Sequence, residues 1–536
     1  MHRRTILKGA VASVAAAAAV PAIATRLATP AIAAPEKART LRFVPQADVA
    51  VLDPIFTPSP VTCNHGYYVF DTLYSAAADN VPKPQMAAGS TVSDDKRTWR
   101  ITLRDGLKFH DGEKVLARDC AASLDRWTVR DVFGTAMRDY VDQFGSVDDK
   151  TIEIKLKRPF PILLDALAKA DAQVPFMMPE RIAKTDPNTQ IKAADMIGSG
   201  PYRFVGSEYR SGNMVVYEKF EGYVPRPEPA NWAVGGKVAH FPRIEWHIVP
   251  DASTANAALL SGEIDWWERP ISDLLPMLEA NRGLVVERAN PLGNMAQMTL
   301  NHAHPPFNNL RVRRALQYAF NQSDSLRAAV GNDQSLWQSC YSMFPCGTPL
   351  ETLDDGTWMP HSIEKGKQEL AASGYKGEKV VFLNATDQVF WRPMGLVSVD
   401  IMKRIGLNVE LVETDWGSIV QRRPNRGPIE QGGWSAWIAS GSSTAQMSPM
   451  TSILVKATGQ WFGGWNNPEA VKLTDQFINA ADAAEREKWG HELARLAMSQ
   501  VSCIPLGQFY TKWAYTKKIT GVIPGVAPYP WNVRPA

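Results

Sequence analysis

The sequence has little that would suit a membrane-spanning or nucleic-acid-binding protein. After a run of small apolar residues that ends at Val20, no stretch approaches the roughly 20 consecutive apolar residues that a transmembrane helix needs. Charge is nearly balanced, with 58 basic and 55 acidic residues. This balance gives no electrostatic reason to expect nucleic acid or an anionic membrane surface as a partner.

The familiar motifs of hydrolytic and metal-dependent active sites are also missing. Neither G-x-S-x-G nor H-E-x-x-H occurs, so there is no sign of a nucleophile elbow or a zinc-protease helix. His302 and His304 could present two imidazoles to nickel or zinc. They precede a Pro-Pro pair and lack a third ligand nearby, so ordinary loop histidines are the better interpretation. We therefore expect no catalytic residue, no metal ligand and no cofactor.

Residues 1–33 have the pattern of a cleaved signal peptide. A basic start precedes a short apolar segment and two small-residue sites of the A-I-A type, the usual order of such a leader. Arg3 and Arg4, followed by Ile-Leu-Lys, resemble a twin-arginine signal. His2 and Ile6 depart from the preferred residues, so the general secretory route stays open. No Cys stands at either cleavage site, and we expect a periplasmic protein without a lipid anchor.

Cysteine is scarce, with five in 536 residues. Cys340 and Cys346 lie six positions apart, and an exported chain can oxidise such a pair to a disulfide. Cys120 and Cys503 stand in apolar surroundings and are predicted to be inert buried thiols. For Cys63 the sequence does not favour either a disulfide or a free buried thiol.

The sequence near residue 100 predicts a strand, a turn and a helix. Trp99, Ile101 and Leu103 alternate with polar residues, as in a half-buried strand. An Asp-Gly turn and a second short apolar run follow. The apolar positions between Val115 and Trp127 then suit one face of a helix.

This unit resembles the signature of the family 5 extracytoplasmic solute-binding proteins, which include the dipeptide-, oligopeptide- and nickel-binding components of ABC importers. The matching order is LRDGLKFHDGE, then ARD, then Ser. The matching positions are Arg104, Gly106, Phe109, Asp111, Gly112, Asp119 and Ser123. We expect these residues to build a lobe rather than to bind a ligand.

Later segments continue the resemblance to the end of the chain. Gly198–Phe204 is similar to the family's GTGPY turn, and Gly262–Asp265 matches its GEID strand entry. A helix after Pro306 has the stripe Val312, Ala315, Leu316, Ala319 and Phe320, and its arginines 311, 313 and 314 are predicted to form a solvated or salt-bridged face. Two apolar runs, 379–383 and 408–412, flank a helical stretch near 391–405 and predict a βαβ unit.

The resemblance implies an α/β fold of the periplasmic binding protein type. Two main lobes would enclose a ligand cleft, with an additional smaller lobe and a hinge, as in the cluster C arrangement. The expected divisions are 1–33 signal peptide, 34–84 first part of lobe I, 85–197 extra lobe Ib, 198–292 second part of lobe I, 293–502 lobe II, and 503–536 C-terminal part of lobe I.

One segment is expected to run along the cleft. Gly433-Trp434-Ser435-Ala436-Trp437 resembles the family segment in which peptide binders show Gly-Trp-x-Ala-Asp, whose Asp holds the α-amino group of a bound peptide. Here Trp437 takes the place of that Asp. An indole face can attract a cation by roughly 0.5–2 kcal/mol or stack on a ring, and another acid of the cleft could replace the missing carboxylate. The predicted ligand-binding residues in this segment are Gly433, Trp434, Ser435 and Trp437.

Further wall residues are predicted elsewhere. Arg422 falls, by its distance from Trp434, where an oligopeptide binder places a cleft arginine, and could hold a carboxylate; an exposed basic turn is the alternative. Asn64, Tyr67 and Trp391 are further candidates, together with the Trp pair at 266 and 267. For each tryptophan singly, core packing is the competing interpretation.

We predict a non-enzymatic, monomeric periplasmic receptor that closes over a peptide or peptide-like small solute and delivers it to the permease subunits of an ABC importer in the inner membrane. The alternatives are the same fold with a non-peptide solute (an opine-like conjugate, an oligosaccharide or a metal chelate), an exported hydrolase, or a chaperone-like protein that holds unfolded segments. Closure would be a hinge motion stabilised by a ligand that touches both lobes.

Overall fold

The computed structural model describes residues 40–352 and 356–536. The predicted signal peptide, residues 1–33, lies outside the described residues. Within them, none of the helices combines the length and the apolar character that crossing a bilayer would require.

The described residues form short strands and helices that alternate along the chain. The strands are β1 (Thr40–Val44), β2 (Asp71–Thr72), β3 (Tyr74–Ala76), β4 (Pro82–Pro84), β5 (Ala87–Val92), β6 (Thr98–Leu103), β7 (Val141–Ser146), β8 (Thr151–Leu156), β9 (Phe176–Met177), β10 (Tyr202–Phe204), β11 (Met214–Lys219), β12 (Arg243–His247), β13 (Trp266–Trp267), β14 (Leu284–Arg288), β15 (Asn294–Leu300), β16 (Trp337–Gln338), β17 (Lys379–Ala385), β18 (Asn408–Thr414), β19 (Ala436–Ser442), β20 (Ile504–Phe509), β21 (Lys512–Thr516), β22 (Ile519–Thr520) and β23 (Arg534–Pro535). The helices are α1 (Pro60–Val69), α2 (Ala117–Arg130), α3 (Val132–Arg138), α4 (Leu163–Leu167), α5 (Glu180–Ala183), α6 (Ala252–Ser261), α7 (Leu275–Ala280), α8 (Leu310–Ala319), α9 (Gln322–Val330), α10 (Ile363–Ala371), α11 (Trp391–Ile405), α12 (Trp416–Arg422), α13 (Pro468–Asn479) and α14 (Ala483–Gln500).

A seven-stranded mixed sheet forms the centre of the first lobe. Its order is β10-β11-β12-β1-β13-β21-β14, with β1 parallel to both β12 and β13. Leu41 and Phe43 of β1 are fully buried, as expected for a central strand covered on its faces. The sheet therefore brings together strands from the beginning, the middle and the end of the chain.

A six-stranded sheet forms the centre of the second lobe, in the order β16-β20-β15-β19-β17-β18. β17 runs parallel to β18 along seven paired residues, and α11 forms the connection between them. The predicted βαβ unit is therefore confirmed. The inward face of this connection includes Met394, Ile401 and Met402, all buried, which is the stripe that a crossover helix needs to pack on a sheet.

The signature residues build a smaller four-stranded sheet, β5-β6-β8-β7, on which α2 packs. The Asp119 carboxylate accepts the backbone N–H groups of Leu116 and Glu180, each at 2.8 Å, and so fixes the start of α2. The Ser123 hydroxyl accepts the N–H of Met178 at 2.9 Å. Both side chains are buried, in agreement with their predicted structural role.

Two short segments carry the chain between the large sheets. Residues 289–293 join β14 to β15, and residues 510–511 join β20 to β21. The predicted boundary at residue 503 differs from this arrangement, because β20 pairs with β15 in the second sheet. The chain returns to the first sheet only at β21. Two apolar strands follow each other here, and their pattern does not tell which sheet accepts each one.

Helix α8 confirms the predicted apolar stripe but corrects its arginine face. Val312, Ala315 and Leu316 are buried, and Asn309 caps the helix by accepting the N–H of Arg311 at 2.9 Å. Arg313 is not solvated: it is buried, and its guanidinium donates to the carbonyl oxygens of residues 307, 500 and 501. These carbonyls stand in for water around the charge.

The cysteine predictions are confirmed where they were definite. Cys340 and Cys346 form a disulfide, with Cα atoms 5.8 Å apart. Cys120 and Cys503 are free and buried, and burial raises the pKa of both thiols. Cys63 is also a free buried thiol.

Candidate functional site

The parallel strands of both large sheets end near the two connecting segments. In open α/β sheets, ligands bind beyond the carboxyl ends of such strands, where neighbouring connections diverge. In the second sheet β19 ends at Ser442, and residues 443–446 turn at once into a short helical segment. The fold therefore directs attention to the space beyond Ser442.

A pocket of about 380 Å³ lies there, with walls from two distant parts of the chain. One wall comes from residues 76–171 of the first lobe and the extra lobe, and the other from residues 349–487 of the second lobe. The volume falls within the roughly 300–1,000 Å³ of typical small-molecule sites. Phe133, Ile162 and Phe477 give the pocket a largely apolar surface. It can enclose a small solute with an uncharged body.

Charged side chains occupy one end of this pocket. The ammonium of Lys169 pairs with the carboxylate of Asp131, whose other oxygen accepts the N–H groups of Phe133 and Gly134 at 2.8 and 2.9 Å at the start of α3. Asp131 is therefore held by a helix start as well as by its cation. Lys169 is locked in the wall rather than free to reach a ligand.

Asp171 follows in the same wall. Its carboxylate accepts the N–H of Ala172 at 2.6 Å. Burial raises the pKa of the Asp171 carboxyl, although the hydrogen bond from Ala172, the charge of Lys169 and the nearby hydroxyl of Ser442 act in the opposite direction. Desolvation is therefore the largest influence on this group.

Other contacts join the two sides of the gap. The hydroxyl of Tyr140, in the extra lobe, donates to the carboxylate of Asp475 on α13 at 3.4 Å, and Arg158 lies 3.8 Å from the same carboxylate. Met450 and Ile478 of the second lobe pack into the core of the first. The lobes are thus in contact, and the pocket lies between them.

The predicted tryptophans of the cleft segment are buried behind the second sheet. Trp434 and Trp437 are each 1% exposed and belong to a cluster with Ile419 and Leu383. The indole N–H of Trp434 donates to the carbonyl of Arg423 at 3.0 Å. That of Trp437 has no hydrogen-bond partner among the described residues. Both rings pack against the second sheet beside β19, the strand that ends at Ser442.

The neighbouring predicted residues shape the same segment. The guanidinium of Arg422 donates to the carbonyl oxygens of Gly432 and Gly433 at 2.9 and 2.8 Å, and so closes the turn before Trp434. The hydroxyl of Ser435 accepts the N–H of Val381 at 3.0 Å. Gly433 has no room for a side chain, since a Cβ atom would lie 2.0 Å from the carbonyl oxygen of Gly427.

The other predicted wall residues engage protein groups. Asn64 donates to the buried carboxylate of Glu268 at 2.9 Å. Tyr67 donates to the carbonyl of Ala170, a residue of the pocket wall, at 2.7 Å. The indole of Trp391 donates to the hydroxyl of Ser440 at 2.8 Å. Trp266 and Trp267 are core residues of the first lobe.

None of the eight predicted binding residues lines the 380 Å³ pocket among the described residues, and their part in binding stays a prediction. Sequence reasoning missed Asp171 and Lys169 because the stretch A-K-A-D-A-Q carries no motif. An Asp and a Lys inside an otherwise apolar segment was the only available signal.

Metal binding finds no geometric basis in the part of the chain that the structure describes, where no three His, Cys, Asp or Glu residues come together. His302, one of the two loop histidines, bonds through Nε2 to the carbonyl of Ser502 at 3.0 Å. Burial lowers its pKa to about 3. It behaves as a satisfied interior histidine.

Comparison with known proteins identifies the relatives of this chain. Residues 81–455 match the family model for bacterial extracellular solute-binding proteins, family 5. A probable peptide ABC transporter periplasmic-binding protein of Sinorhizobium fredii is 36% identical over the whole of both chains.

Solved structures share the fold. A dipeptide-binding protein from Pseudoalteromonas sp. SM9913, in complex with Met-Leu, has a TM-score of 0.77 at 19% identity, covering 93% of this chain and 100% of its own. The protein AgaA from Agrobacterium tumefaciens R10, in complex with agropinic acid, has a TM-score of 0.76 at 21% identity, covering 93% and 99%.

Proposed function

Because the chain belongs to the family 5 bacterial extracellular solute-binding proteins, we propose that it captures a peptide or peptide-like solute and delivers it to the membrane permease of an ABC importer. The 36% identical relative over the full length is a peptide ABC transporter protein by name. The pocket with walls from both lobes is the single observation in the molecule that best supports this function.

The geometry suits capture by closure. Only residues 289–293 and 510–511 connect the large sheets among the described residues, so a small change in these two segments can rotate one lobe against the other. A solute that touches both walls stabilises the closed form, because it binds that form more tightly than the open one. The solute is released chemically unchanged when the permease opens the lobes.

In this proposal the eight predicted residues act mainly from behind the pocket. Tyr67 holds the wall at Ala170, and Trp391 holds the strand end at Ser440. Trp434 and Trp437 brace β19, and the pocket residues Thr444 and Ala445 follow directly after this strand. Asn64 fixes Glu268 near the connection between the lobes. Arg422, Gly433 and Ser435 shape the turn that leads into β19.

The predicted ring-binding role of Trp437 has little room in this geometry. Its side chain is 1% exposed and packs against Trp416 and Trp434, so neither face is available to stack on a sugar or an aromatic ligand. The observation that favoured a non-peptide solute is thereby weakened, and the peptide-like solute is the proposal that we retain.

The cellular setting belongs to the same proposal. The leader of residues 1–33 would export the chain by the twin-arginine route to the periplasm, where it would act as a soluble monomer without a lipid anchor. Its relatives are periplasmic-binding proteins by name, which supports the location. Purified protein is expected to leave peptides intact during prolonged incubation.

A thermal-shift screen tests the function. Di- and tripeptides, amino acids, opines, oligosaccharides and nickel chelates are each mixed with the purified protein at high concentration. A ligand at 100 times its dissociation constant adds about 2.7 kcal/mol to the free energy of unfolding. A shift with peptides, confirmed by calorimetry and without cleavage, supports the proposal. Hydrolysis of the peptide, or a shift only with another class, contradicts it.

A further inference from the structure

The charged side chains around the pocket are unequally supplied with partners. Lys169 pairs with Asp131. Three carboxylates of the pocket, those of Asp165, Asp171 and Glu487, have no Lys or Arg nitrogen within 4.0 Å among the described residues. Asp165 and Glu487 are exposed, whereas Asp171 is half-buried. Asp171 is therefore the least exposed of the pocket carboxylates that lack a counter-ion.

Apart from Lys169, which pairs with Asp131, the groups of the first lobe beside Asp171 are neutral. Cys63, Tyr67 and Tyr529 are all buried there, and the negative charge of Asp171 adds to burial in raising the pKa of each. A partly desolvated carboxylate is unfavourable unless a cation joins it. Within the described residues no Lys or Arg forms an ion pair with Asp171, so a cationic group of a ligand would be favoured there.

The position of the carboxylate is one from which a ligand can be held by both lobes. Asp171 belongs to the first wall, and Thr444, Ala445 and Ser448 of the second lobe line the same pocket. A ligand bound to Asp171 in this pocket can therefore touch both walls. Any such group would add to the contacts that keep the lobes together.

We propose that Asp171 is the anchor for the cationic group of the bound solute, a role for which position 437 offers only an indole. This inference rests on the proposed function and names the chemistry of its ligand. The ligand is a small amine, such as a short peptide with a free amino terminus. Its uncharged side chain lies on the apolar wall of Phe133, Ile162 and Phe477.

Calorimetry with two matched probes tests the anchor. The probes are L-leucyl-L-leucine and its N-acetyl derivative, which has the same body without the ammonium group. We expect the wild-type protein to bind the free dipeptide at least tenfold more tightly than the acetylated one. In the Asp171→Asn variant the free dipeptide should weaken at least tenfold, and acetylation should no longer matter. The two probes and the two proteins together form a double-mutant cycle, which isolates the interaction between the ammonium group of the dipeptide and the carboxylate of Asp171.

Asp139→Asn is the control, because Asp139 is exposed at the end of α3 and its loss changes the total charge equally. It should bind both probes as the wild type does. If Asp171→Asn keeps the preference for the free amine, the anchor lies elsewhere, and the inference fails while the proposed function stands. If the wild-type protein binds neither probe nor any peptide of the screen, both fail.

A second readout excludes simple unfolding. Asparagine can still accept the N–H of Ala172, and the substitution removes a charge that burial disfavours. The ligand-free Asp171→Asn variant is therefore expected to unfold at a urea concentration no lower than the wild type. Loss of binding together with loss of stability would instead assign Asp171 a structural role and overturn the inference.

Discussion

At the scale of the residue, Trp437 shows how a position can keep its place in the fold while its surroundings change its role. The resemblance to peptide binders placed it in the cleft. In the structure its ring packs with three aromatic or aliphatic neighbours of one cluster, Trp434, Trp416 and Leu383. Its indole N–H is unpaired in the part of the chain that the structure describes. Position 437 therefore needs a large side chain that fills the space, rather than a polar one.

This packing predicts different effects for two substitutions. Trp437→Ala removes a large buried ring and should lower the free energy of unfolding by about 3–5 kcal/mol. Trp437→Phe keeps an aromatic ring and removes an unsatisfied donor, so it should cost less than half as much. Urea unfolding of both variants measures the difference. Equal losses would show that the indole N–H has a partner in solution.

His65 gives a second prediction at this scale. It is fully buried, its Nδ1 shares a hydrogen bond of 2.8 Å with the hydroxyl of Tyr217, and burial lowers its pKa from 6.5 to about 3. Between these values the unfolded chain binds a proton that the folded chain does not. Stability therefore falls as the pH falls through this window, by about 1.4 kcal/mol per pH unit for one group.

The His65→Gln variant tests that account. Its unfolding free energy, measured in urea from about pH 6 to pH 4, should depend less steeply on pH than that of the wild type, by about 1.4 kcal/mol per unit. Burial also lowers the pKa values of His110 and His302. These two residues should account for the pH dependence of stability that remains in the variant. An unchanged slope would contradict a neutral buried His65.

At the scale of the element, the sequence identified several strands and helices correctly but not always their surroundings. Alternation predicted β6, and apolar spacing predicted α8 and α11, because these patterns depend only on which side of the element is covered by the core. The prediction for Arg313 was wrong, since its guanidinium donates to the carbonyl of Phe307 and to two carbonyls of a distant segment, residues 500 and 501. Local pattern cannot reveal such partners.

The turn before β10 offers a prediction about close packing. Gly198 approaches α1 so closely that a Cβ atom would lie 2.0 Å from the carbonyl oxygen of Val69. Gly198→Ala should therefore cost about 1–3 kcal/mol, the usual effect of overpacking. Gly89→Ala on β5, where no atom lies within 4 Å of the added carbon, is the control. Chemical unfolding should show a loss for the first variant alone.

At the scale of the whole molecule, contacts across the gap bias the lobes toward the closed form. The carboxylate of Asp475 accepts a hydrogen bond from Tyr140 and lies near Arg158. Because Asp475 is exposed, these contacts stabilise the closed form by about 1 kcal/mol at most. Asp475→Ala should shift the ligand-free protein toward the open form by up to about fivefold. Small-angle X-ray scattering would report a larger radius of gyration.

Lys472→Ala serves as the matched control for that experiment, because Lys472 lies on the same helix, α13, and its ion pair is with Glu469 of that helix. It should leave the scattering curve unchanged. A saturating ligand should return Asp475→Ala to the wild-type radius. An increase with both variants would indicate a general loosening of α13 instead.

The whole fold was predictable because the signature and the later motifs resemble one family over most of the chain, and the two-lobed α/β architecture agrees with that resemblance. The pocket was not predictable from the sequence. Its walls come from residues 76–171 and 349–487, and these two parts of the chain come together only through the relative orientation of the two sheets. Asp171 gains its significance from the second-lobe residues that share its pocket, such as Thr444, which is 273 positions away.

The pairing of β15 with β20 has a genetic consequence. Asn294, the first residue of the second sheet, lies directly opposite Phe509, the last one before the chain leaves it. Residues 294–509 therefore form an insertion whose two ends lie side by side, as in a domain that is inserted into another domain. A gene cut at these points, with a short linker closing the host, should yield two separately expressible fragments.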